Sequence, residues 1–401
     1  MPSLATPRAQ PWSVRRHQAD ASGDPRSPYA RDRDRILHSA SFRQLQYKTQ
    51  VYIVSDGDYY RTRITHSLEV AQLSRSLARL LGLCEDLVEA IALGHDVGHT
   101  PFGHAGELEL DRLLKDRGLV AGWNSNTHSL TVMDELEFEH PRYDGLNLTY
   151  ATRQGIARHR TPFDEPAADF DDWPQPTPEA QVVNVADLLA YVAHDTEDAV
   201  VGGLLDIEQL EEGGSDATRL WRKSLATAGS EFESAGNPRP AAARPGEQQR
   251  RLLQRARRHF INDAVLAMRD ESLTAIRRSG ATDHRAVIRH PAPLIRFPEG
   301  LQAEFHELAA YLLKHVYRSP VVSRQNHRER YILSNVYTAL AEDESHALLP
   351  EHYRTRLLDP ARRQDRFMTI AQYVASLSDR ALLDLYAELF DPRERTMIRR
   401  S

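Results

Sequence analysis

The sequence predicts an all-α protein, a helical core with an additional C-terminal helical lobe. Apolar residues recur at helical spacing along most of the 401 residues, and no clear alternating strand pattern interrupts them. Glycine, or threonine followed by proline, stands where such helices would end or begin. We therefore expect helices in both parts of the chain.

Four segments follow from these patterns. Residues 1–30, rich in Pro, Arg and Ser, are expected to form a flexible N-terminal tail, and residues 31–211 the core. Residues 212–248 are low in large apolar side chains and rich in Gly, Ser, Ala and Pro, which predicts a mobile connection. Residues 249–401 then form the C-terminal lobe. Its helical patterns cover residues 252–268, 301–317, 331–341 and 370–390.

Composition excludes several classes of protein. No run approaches the roughly 18 uninterrupted apolar residues of a membrane-spanning helix, so we expect a soluble protein without a membrane partner. The N-terminus lacks the apolar core of a secretory signal, which predicts a cytoplasmic location. The single cysteine, Cys84, excludes an intramolecular disulfide. The formal charge of −6 argues against non-specific duplex binding, although the arginines within residues 250–258 leave single-stranded nucleic acid open as a partner.

The first predicted core helices place a histidine near a helix start. Residues 31–48 have helical spacing with a basic outer face. Residues 63–81 form the next helix, and Gly82 supplies a C-terminal cap. His66 therefore lies in the first turn of that helix.

A second candidate position for a metal ligand is the end of the helix predicted over residues 85–93. The residues of this helix are mostly apolar and leave it little polar surface. Gly94 lets this helix end at His95 and Asp96, so the pair sits at a buried helix end. The stretch 94–107 packs three of the 18 histidines and two acids into fourteen positions, a clustering that is improbable by chance.

The next helix carries a histidine and a glutamate on one face. Thr100 and Pro101 resemble an N-cap and a first helical position. From there the pattern continues to Gly118, and His104 and Glu107 are three residues apart, which is one turn.

Further short helices and one connection follow. A helix over about 126–137 carries His128, and residues 149–159 read as another helix. The proline-rich residues 162–178 predict a long surface connection.

The most apolar helix carries a row of polar exceptions. It begins after Thr177 and is apolar on most sides through Val192. Asp187, Tyr191 and Asp195 are four residues apart and therefore share one broad face. A buried carboxylate face needs a partner, and a cation is the simplest one.

Two histidines and two aspartates make this a candidate metal site. Imidazole with carboxylate suits divalent transition metals, and the lack of thiolates argues against a structural zinc site of the cysteine kind. We expect one divalent ion per subunit, with Mn, Mg, Fe, Co and Ni all open. Beside it, His104 could act as an acid–base or nucleophilic group whose tautomer Glu107 sets.

Four segments together resemble the HD-domain phosphohydrolase superfamily, and more closely the dGTP triphosphohydrolase family that includes the animal HD-domain dNTPase. They are Phe42-Arg43-Gln44-Leu45 with Lys48-Thr49-Gln50-Val51, Arg63 to Ser67, Gly94 to Glu107, and Ala186 to Asp198. The C-terminal residues 373–390 are also similar, so the resemblance covers most of the chain.

The resemblance implies a role for each motif residue. The metal would be held by His66, His95, Asp96 and Asp187, with His104 and Glu107 as the catalytic pair. His99, His128 and Arg63 would lie near the phosphates, and Gln50, Tyr191 and Asp195 would line the deoxyribose and exclude a 2′-hydroxyl.

The reaction that the resemblance implies is hydrolysis of a dNTP at the α-phosphorus to deoxynucleoside and intact triphosphate. It also implies a homo-oligomer, and a second, allosteric dNTP as a partner. One position departs from the pattern, because Leu188 stands where the animal relatives have a phosphate-contacting lysine. Arg158, His159 or Arg160 could supply that charge.

Two other readings stay open from the residues alone. The same metal site could serve a nucleotidase or phosphoesterase acting on another nucleotide. The basic run within residues 250–258 is compatible with a sensor of nucleotides or single strands in which hydrolysis is weak.

Overall fold

The computed structural model describes residues 4–19, 23–50, 61–138, 140–160, 170, 172–212, 218–236, 247–359 and 365–392. Across these ranges the chain forms seventeen α-helices and three isolated β-bridges but no β-strand, which confirms the all-α class. No helix in the same ranges is both long and apolar enough to cross a membrane.

Eight helices make up the first half of the fold. They are α1 (Pro28–His38), α2 (Ala40–Gln44), α3 (Arg63–Leu81), α4 (Glu85–Gly94), α5 (Gly103–Lys115), α6 (Ser125–Thr131), α7 (Tyr150–Ala157) and α8 (Pro178–Val201). Helices α3, α4 and α8 pack against one another, while α1 and α7 cover α4. Helix α8 is buried on most sides, as its apolar sequence predicts.

Local capping signals explain two of the helix ends. Gly82 adopts the left-handed conformation, with φ of 71°, directly after α3, so its predicted cap is confirmed. The Thr177 side chain accepts a hydrogen bond from the Ala180 backbone N–H, and Pro178 begins α8 as predicted.

The predicted start of α5 at Thr100 and Pro101 is wrong. The helix begins at Gly103. The residue before it, Phe102, has a left-handed backbone conformation with φ of 61°. The Thr100 hydroxyl donates to the Gly103 carbonyl in a turn instead of capping a helix. Tight packing enforces this path, because a Cβ on Gly98 would lie 2.2 Å from a backbone nitrogen of α6.

Two other predicted helices are interrupted. The helix expected over 126–137 is α6 followed by a π-helical turn, Val132–Leu136. The helical pattern of 370–390 divides into two helices at Leu377 and Ser378. Most of the predicted connection 162–178 lies outside the described residues.

Nine helices complete the fold. They are α9 (Ile207–Glu212), α10 (Arg219–Ser234), α11 (Glu247–Ser279), α12 (His284–Arg289), α13 (Glu299–Leu312), α14 (Pro320–Glu342), α15 (Glu351–Leu358), α16 (Arg366–Ser376) and α17 (Asp379–Phe390). Much of the predicted mobile connection 212–248 is therefore helix. Helix α10 packs along α11, and its Trp221 is fully buried. The helix therefore has a periodic apolar face that the average composition of the segment conceals. Residues 213–217 and 237–246 lie outside the described residues.

The apolar core has two main parts. The larger cluster joins α3, α4 and α8 to α10, α11 and α13. The smaller cluster joins α5 to α14, α16 and α17. Residues from the predicted C-terminal lobe thus pack directly on the predicted core in both clusters, and the boundaries drawn from the sequence stay a prediction.

The predicted flexible tail is also corrected, since residues 4–19 pack on the body. Trp12 is buried, with its ring 4.6 Å from that of His284. The Thr6 backbone N–H donates to Glu179 at 3.0 Å. Specific partners that lie far away in sequence hold this segment, and composition alone does not reveal them.

Candidate active site

The four predicted metal ligands come together in one buried cluster. His66 lies in the first turn of α3, and its Nε2 is 2.8 Å from Oδ1 of Asp187 on α8. His95 and Asp96 directly follow α4. The His95 Nε2 lies 3.5 Å from Asp96 Oδ1 and 3.8 Å from Asp187 Oδ1. The consecutive helices α3 and α4 and the distant helix α8 therefore bring all four side chains to one point.

The cluster fits a single divalent cation. Ligand atoms about 2.1 Å from an octahedral ion lie about 3 Å apart when adjacent and about 4 Å apart when opposite, and the observed separations of 2.8, 3.5 and 3.8 Å are close to these values. The His95 Nδ1 contacts the Ala92 carbonyl at 2.7 Å, so this nitrogen carries the proton. Its Nε2 is then an open acceptor, and it has no hydrogen-bond partner in the described part of the chain.

His159 joins this cluster although it was not predicted as part of the metal site. Its Nε2 is 3.3 Å from the second oxygen of Asp187, and its ring centre is 4.9 Å from that of His95. A histidine just past the end of α7 belongs to no ligand-spacing pattern. The packing of α7 on α4 and α8 brings it there.

Electrostatics keep the two aspartates ionised. Burial would raise the pKa of Asp187, but hydrogen bonds with His159 and His66 outweigh it and hold that pKa well below its usual value. Burial similarly opposes the charge on His66, yet the bond with Asp187 raises its pKa to about 9. Burial lowers the pKa of His95. The cluster is thus a concentration of negative charge that a proton on His66 balances in part.

Two predicted phosphate-binding residues lie against Asp96. The His99 Nδ1 is 3.1 Å from Asp96 Oδ1, and an Arg63 nitrogen is 3.3 Å from Asp96 Oδ2. Arg63 also donates to the Gln50 carbonyl at 3.4 Å. The Gln50 side-chain oxygen has no hydrogen-bond partner among the residues described. Cationic and amide groups therefore border the cluster on one side.

The predicted catalytic pair lies at the start of α5. The His104 side chain is 69% exposed, and its Nδ1 is 3.8 Å from Glu107 Oε2. Glu107 accepts a hydrogen bond of 2.6 Å from the Ser125 hydroxyl. Burial would raise the pKa of Glu107, but the nearby His104 imidazole, the charge of His99 and the hydrogen bond from Ser125 lower it to about 2. Glu107 is therefore a fixed carboxylate beside an accessible imidazole.

His128, which was predicted to lie near the phosphates, packs against a tryptophan ring. It is buried, with its ring centre 4.5 Å from that of Trp123. Burial, together with the positive charges of Lys48 and His99, lowers the pKa of His128 to about 3. His128 is neutral at physiological pH and can offer a hydrogen bond but not a charge.

Tyr191 and Asp195 face a third residue that was not predicted. The Tyr317 hydroxyl donates to Asp195, and the rings of Tyr191 and Tyr317 are stacked with centres 6.4 Å apart. Burial raises the pKa of Asp195 to about 6. Tyr317 is the last residue of a π-helical turn that follows α13. In the sequence it is marked only as the end of a helical pattern.

Similarity to known proteins accords with this geometry. Residues 63–192 match the HD domain model, and residues 295–388 match the phosphohydrolase-associated domain. A deoxyguanosinetriphosphate triphosphohydrolase-like protein of Syntrophus aciditrophicus is 40% identical over 380 residues, covering 94% of this chain and 91% of that protein. A protein of the same name from Thiobacillus denitrificans is 38% identical over 399 residues, covering 98% and 99%. The chain belongs to the deoxyguanosinetriphosphate triphosphohydrolase-like family of HD-domain proteins.

The two matched regions contribute different residues to the site. All four residues of the candidate metal cluster, with His104 and Glu107, lie within the HD-domain match. Tyr317, whose hydroxyl donates to Asp195, lies within the phosphohydrolase-associated match. Membership of the HD phosphohydrolases, predicted from the motifs, is confirmed, and residues from both matched regions surround one site.

Proposed function

We propose that this HD phosphohydrolase is a metal-dependent dNTP triphosphohydrolase. It would convert dGTP, or several dNTPs, to deoxynucleoside and inorganic triphosphate by attack of water at the α-phosphorus. The observation that carries the proposal is the buried cluster in which the His95 Nε2, without a hydrogen-bond partner among the described residues, faces the carboxylates of Asp96 and Asp187. The names of the relatives support the choice of substrate.

His66, His95, Asp96 and Asp187 would hold the ion. When bound, a divalent cation would neutralise negative charge on the phosphoryl group and lower the pKa of water. His159 would keep Asp187 oriented through its second oxygen. Burial of these side chains keeps bulk water from competing for the same positions.

The bordering residues would bind the triphosphate and move the proton. Arg63 and His99 lie beside Asp96 and would contact phosphate oxygens. Departure of the 5′-oxygen requires a proton, and the His104 Nε2, the nitrogen directed away from Glu107, would donate it. The low pKa of Glu107 keeps an ionised carboxylate beside the imidazole, which would hold the ring in position.

The tyrosines would select the sugar. Tyr191 and Tyr317 stack near Asp195, and Gln50 presents an amide oxygen without a partner in the described ranges. A deoxyribose could lie against this surface, where an added 2′-hydroxyl would meet a ring and would lack space. dNTPs would therefore be hydrolysed in preference to rNTPs.

Product analysis tests this proposal. Purified protein is incubated with Mn²⁺ and each dNTP, and the products are separated by ion exchange. We expect inorganic triphosphate and a deoxynucleoside. Release of orthophosphate alone, or no turnover of any dNTP, would contradict the proposal, and orthophosphate from a monophosphate would instead support the nucleotidase reading.

Two variants separate metal binding from catalysis. His95→Ala should lose both Mn²⁺ binding and turnover. His104→Ala should retain Mn²⁺ binding by calorimetry and lose roughly 100-fold to 10,000-fold in kcat, the range for a general acid–base group. Equal loss of metal by both variants would remove the distinction on which the proposed roles rest.

A further inference from the structure

Asp379 lies far from the metal cluster in sequence, yet its carboxylate reaches two chain segments that border the site. It is the first residue of α17 and is 7% exposed. Its Oδ2 accepts hydrogen bonds from the Thr49 backbone N–H, at 2.8 Å, and from the Thr49 hydroxyl. Its Oδ1 accepts from the Phe102 backbone N–H at 2.8 Å. One carboxylate thus links residues separated by 53 positions in the chain.

A buried lysine ties the same two segments to the same C-terminal helices. The Lys48 Nζ donates to the His99 carbonyl at 2.6 Å and to the Ala375 carbonyl at 2.8 Å. Ala375 lies near the end of α16, just before the break that precedes Asp379. Two independent sets of buried hydrogen bonds therefore converge on the junction of α16 and α17.

The bond to Phe102 supports an unfavourable backbone conformation. Phe102 has φ of 61° and ψ of 20°, a left-handed conformation that bulky residues rarely adopt. Its N–H is buried and needs an acceptor, which Asp379 supplies. Helix α5 begins at the next residue, so the direction of this turn sets where His104 and Glu107 lie.

The bonds to Thr49 act on the opposite border of the site. Thr49 forms an isolated antiparallel bridge with Thr62, and the Arg63 N–H donates to the Lys48 carbonyl at 3.1 Å. Gln50 is the next residue, and its carbonyl accepts from the Arg63 side chain. Holding Thr49 therefore sets the positions of Gln50 and Arg63.

We propose that Asp379 is a positioning residue that fixes these two borders of the active site relative to each other. In this way the C-terminal helices determine the geometry of the catalytic pair. The role in turnover rests on the proposed function, but the linkage itself does not. A carboxylate suits the task because all three donors need acceptors, and an asparagine would direct its NH₂ group at one of them.

Stabilisation of α17 is the simpler explanation for an acid at this position, since a negative charge favours a helix N-terminus. Ser378 already caps that helix by accepting from the Ala381 N–H. Both oxygens of Asp379 are directed instead at other segments. Ser378→Ala therefore provides a matched control that weakens the same helix end and leaves the linkage in place.

The first test is hydrogen exchange in the full-length protein without substrate. Asp379→Ala and Asp379→Asn should speed amide exchange in peptides covering residues 44–50 and 97–103, at the Thr49 and Phe102 amides above all. Ser378→Ala should leave both peptides protected. Unchanged exchange in the Asp379 variants, or equal loss of protection in Ser378→Ala, would overturn the proposal.

The second test is kinetic. We expect Asp379→Asn to lower kcat for dGTP on the order of 10-fold to 100-fold, because displacement of a catalytic group by about 1 Å can cost that much. Its Mn²⁺ affinity should stay within about twofold of wild type, because the Asp379 hydrogen bonds go to Thr49 and Phe102 and not to the four proposed metal ligands. Thr49→Val, which replaces the hydroxyl donor by a methyl group of similar size, should show a smaller fall in the same direction.

The two tests distinguish the possible failures. If wild-type protein hydrolyses no dNTP, the proposed function fails, while hydrogen exchange still reports on the linkage. If Asp379→Ala does not fold, Asp379→Asn and Thr49→Val retain nearly the same volume and carry the test. Wild-type kcat in Asp379→Asn, with normal dGTP turnover in the parent, would overturn the positioning role.

Discussion

The contact between His159 and Asp187 makes a quantitative prediction about metal affinity. His159→Ala removes a buried imidazole whose Nε2 is 3.3 Å from the second oxygen of Asp187, and it leaves the four proposed ligands in place. The Asp187 carboxylate would then be held on one side only, by His66. We expect it to rotate more freely and to bind a divalent ion less tightly.

The expected loss follows from the geometry. Groups that orient a metal ligand typically contribute about 10-fold to 100-fold in metal affinity. This corresponds to about 1.4–2.7 kcal/mol, at about 1.36 kcal/mol for each factor of ten. A separation of 3.3 Å is long for a hydrogen bond, so we expect a loss nearer tenfold than 100-fold.

Calorimetric titration of Mn²⁺ into metal-free protein measures this effect. His284→Ala is the matched control, because His284 is also a buried histidine but packs on Trp12 outside the cluster. The control should bind Mn²⁺ as wild type does, even if its thermal stability falls. An affinity for His159→Ala within twofold of wild type would refute the orienting role.

Three further predictions address pH, stability and packing. Because the metal-free pKa of His66 is raised to about 9, Mn²⁺ must displace a proton below that pH. Its affinity should rise about tenfold per pH unit and level off above about 9, and a flat calorimetric profile between pH 6 and 8 would contradict this. Asp32→Ala leaves a buried arginine without its carboxylate and should cost about 3–5 kcal/mol in urea unfolding; a loss below about 1 kcal/mol would refute it. Gly98→Ala places a Cβ 2.2 Å from the Ser129 nitrogen and should lower kcat about 100-fold, whereas Gly300→Ala, with open space around it, should be neutral in the same assay.

Local sequence patterns accounted well for the helices. Gly82 accounts for the end of α3, and Thr177 with Pro178 accounts for the start of α8, since capping depends on a few neighbouring residues. The start of α5 was mispredicted because a threonine–proline pair signals a cap only if the chain has room to turn there. Just before that pair, at Gly98, the backbone is packed against α6, and the helix begins at Gly103, two residues after the predicted Pro101.

Composition was a poorer guide than periodicity. The average of residues 212–248 is low in large apolar side chains, yet Trp221 and Leu225 within it form one buried helix face. The N-terminal residues look like a tail because their prolines and arginines bury little by themselves. Trp12 and Arg15 find partners in α7, α12 and α1, which no local average can indicate.

What the sequence by itself determined is the helical class, the family and the candidate ligands His66, His95, Asp96 and Asp187. These depend on residue type and on spacing within single helices, which are local properties. Only the tertiary structure placed His159 against Asp187 and added Tyr317 and Asp379. Each acts through a contact between segments far apart in the chain, and the packing of whole helices decides such contacts.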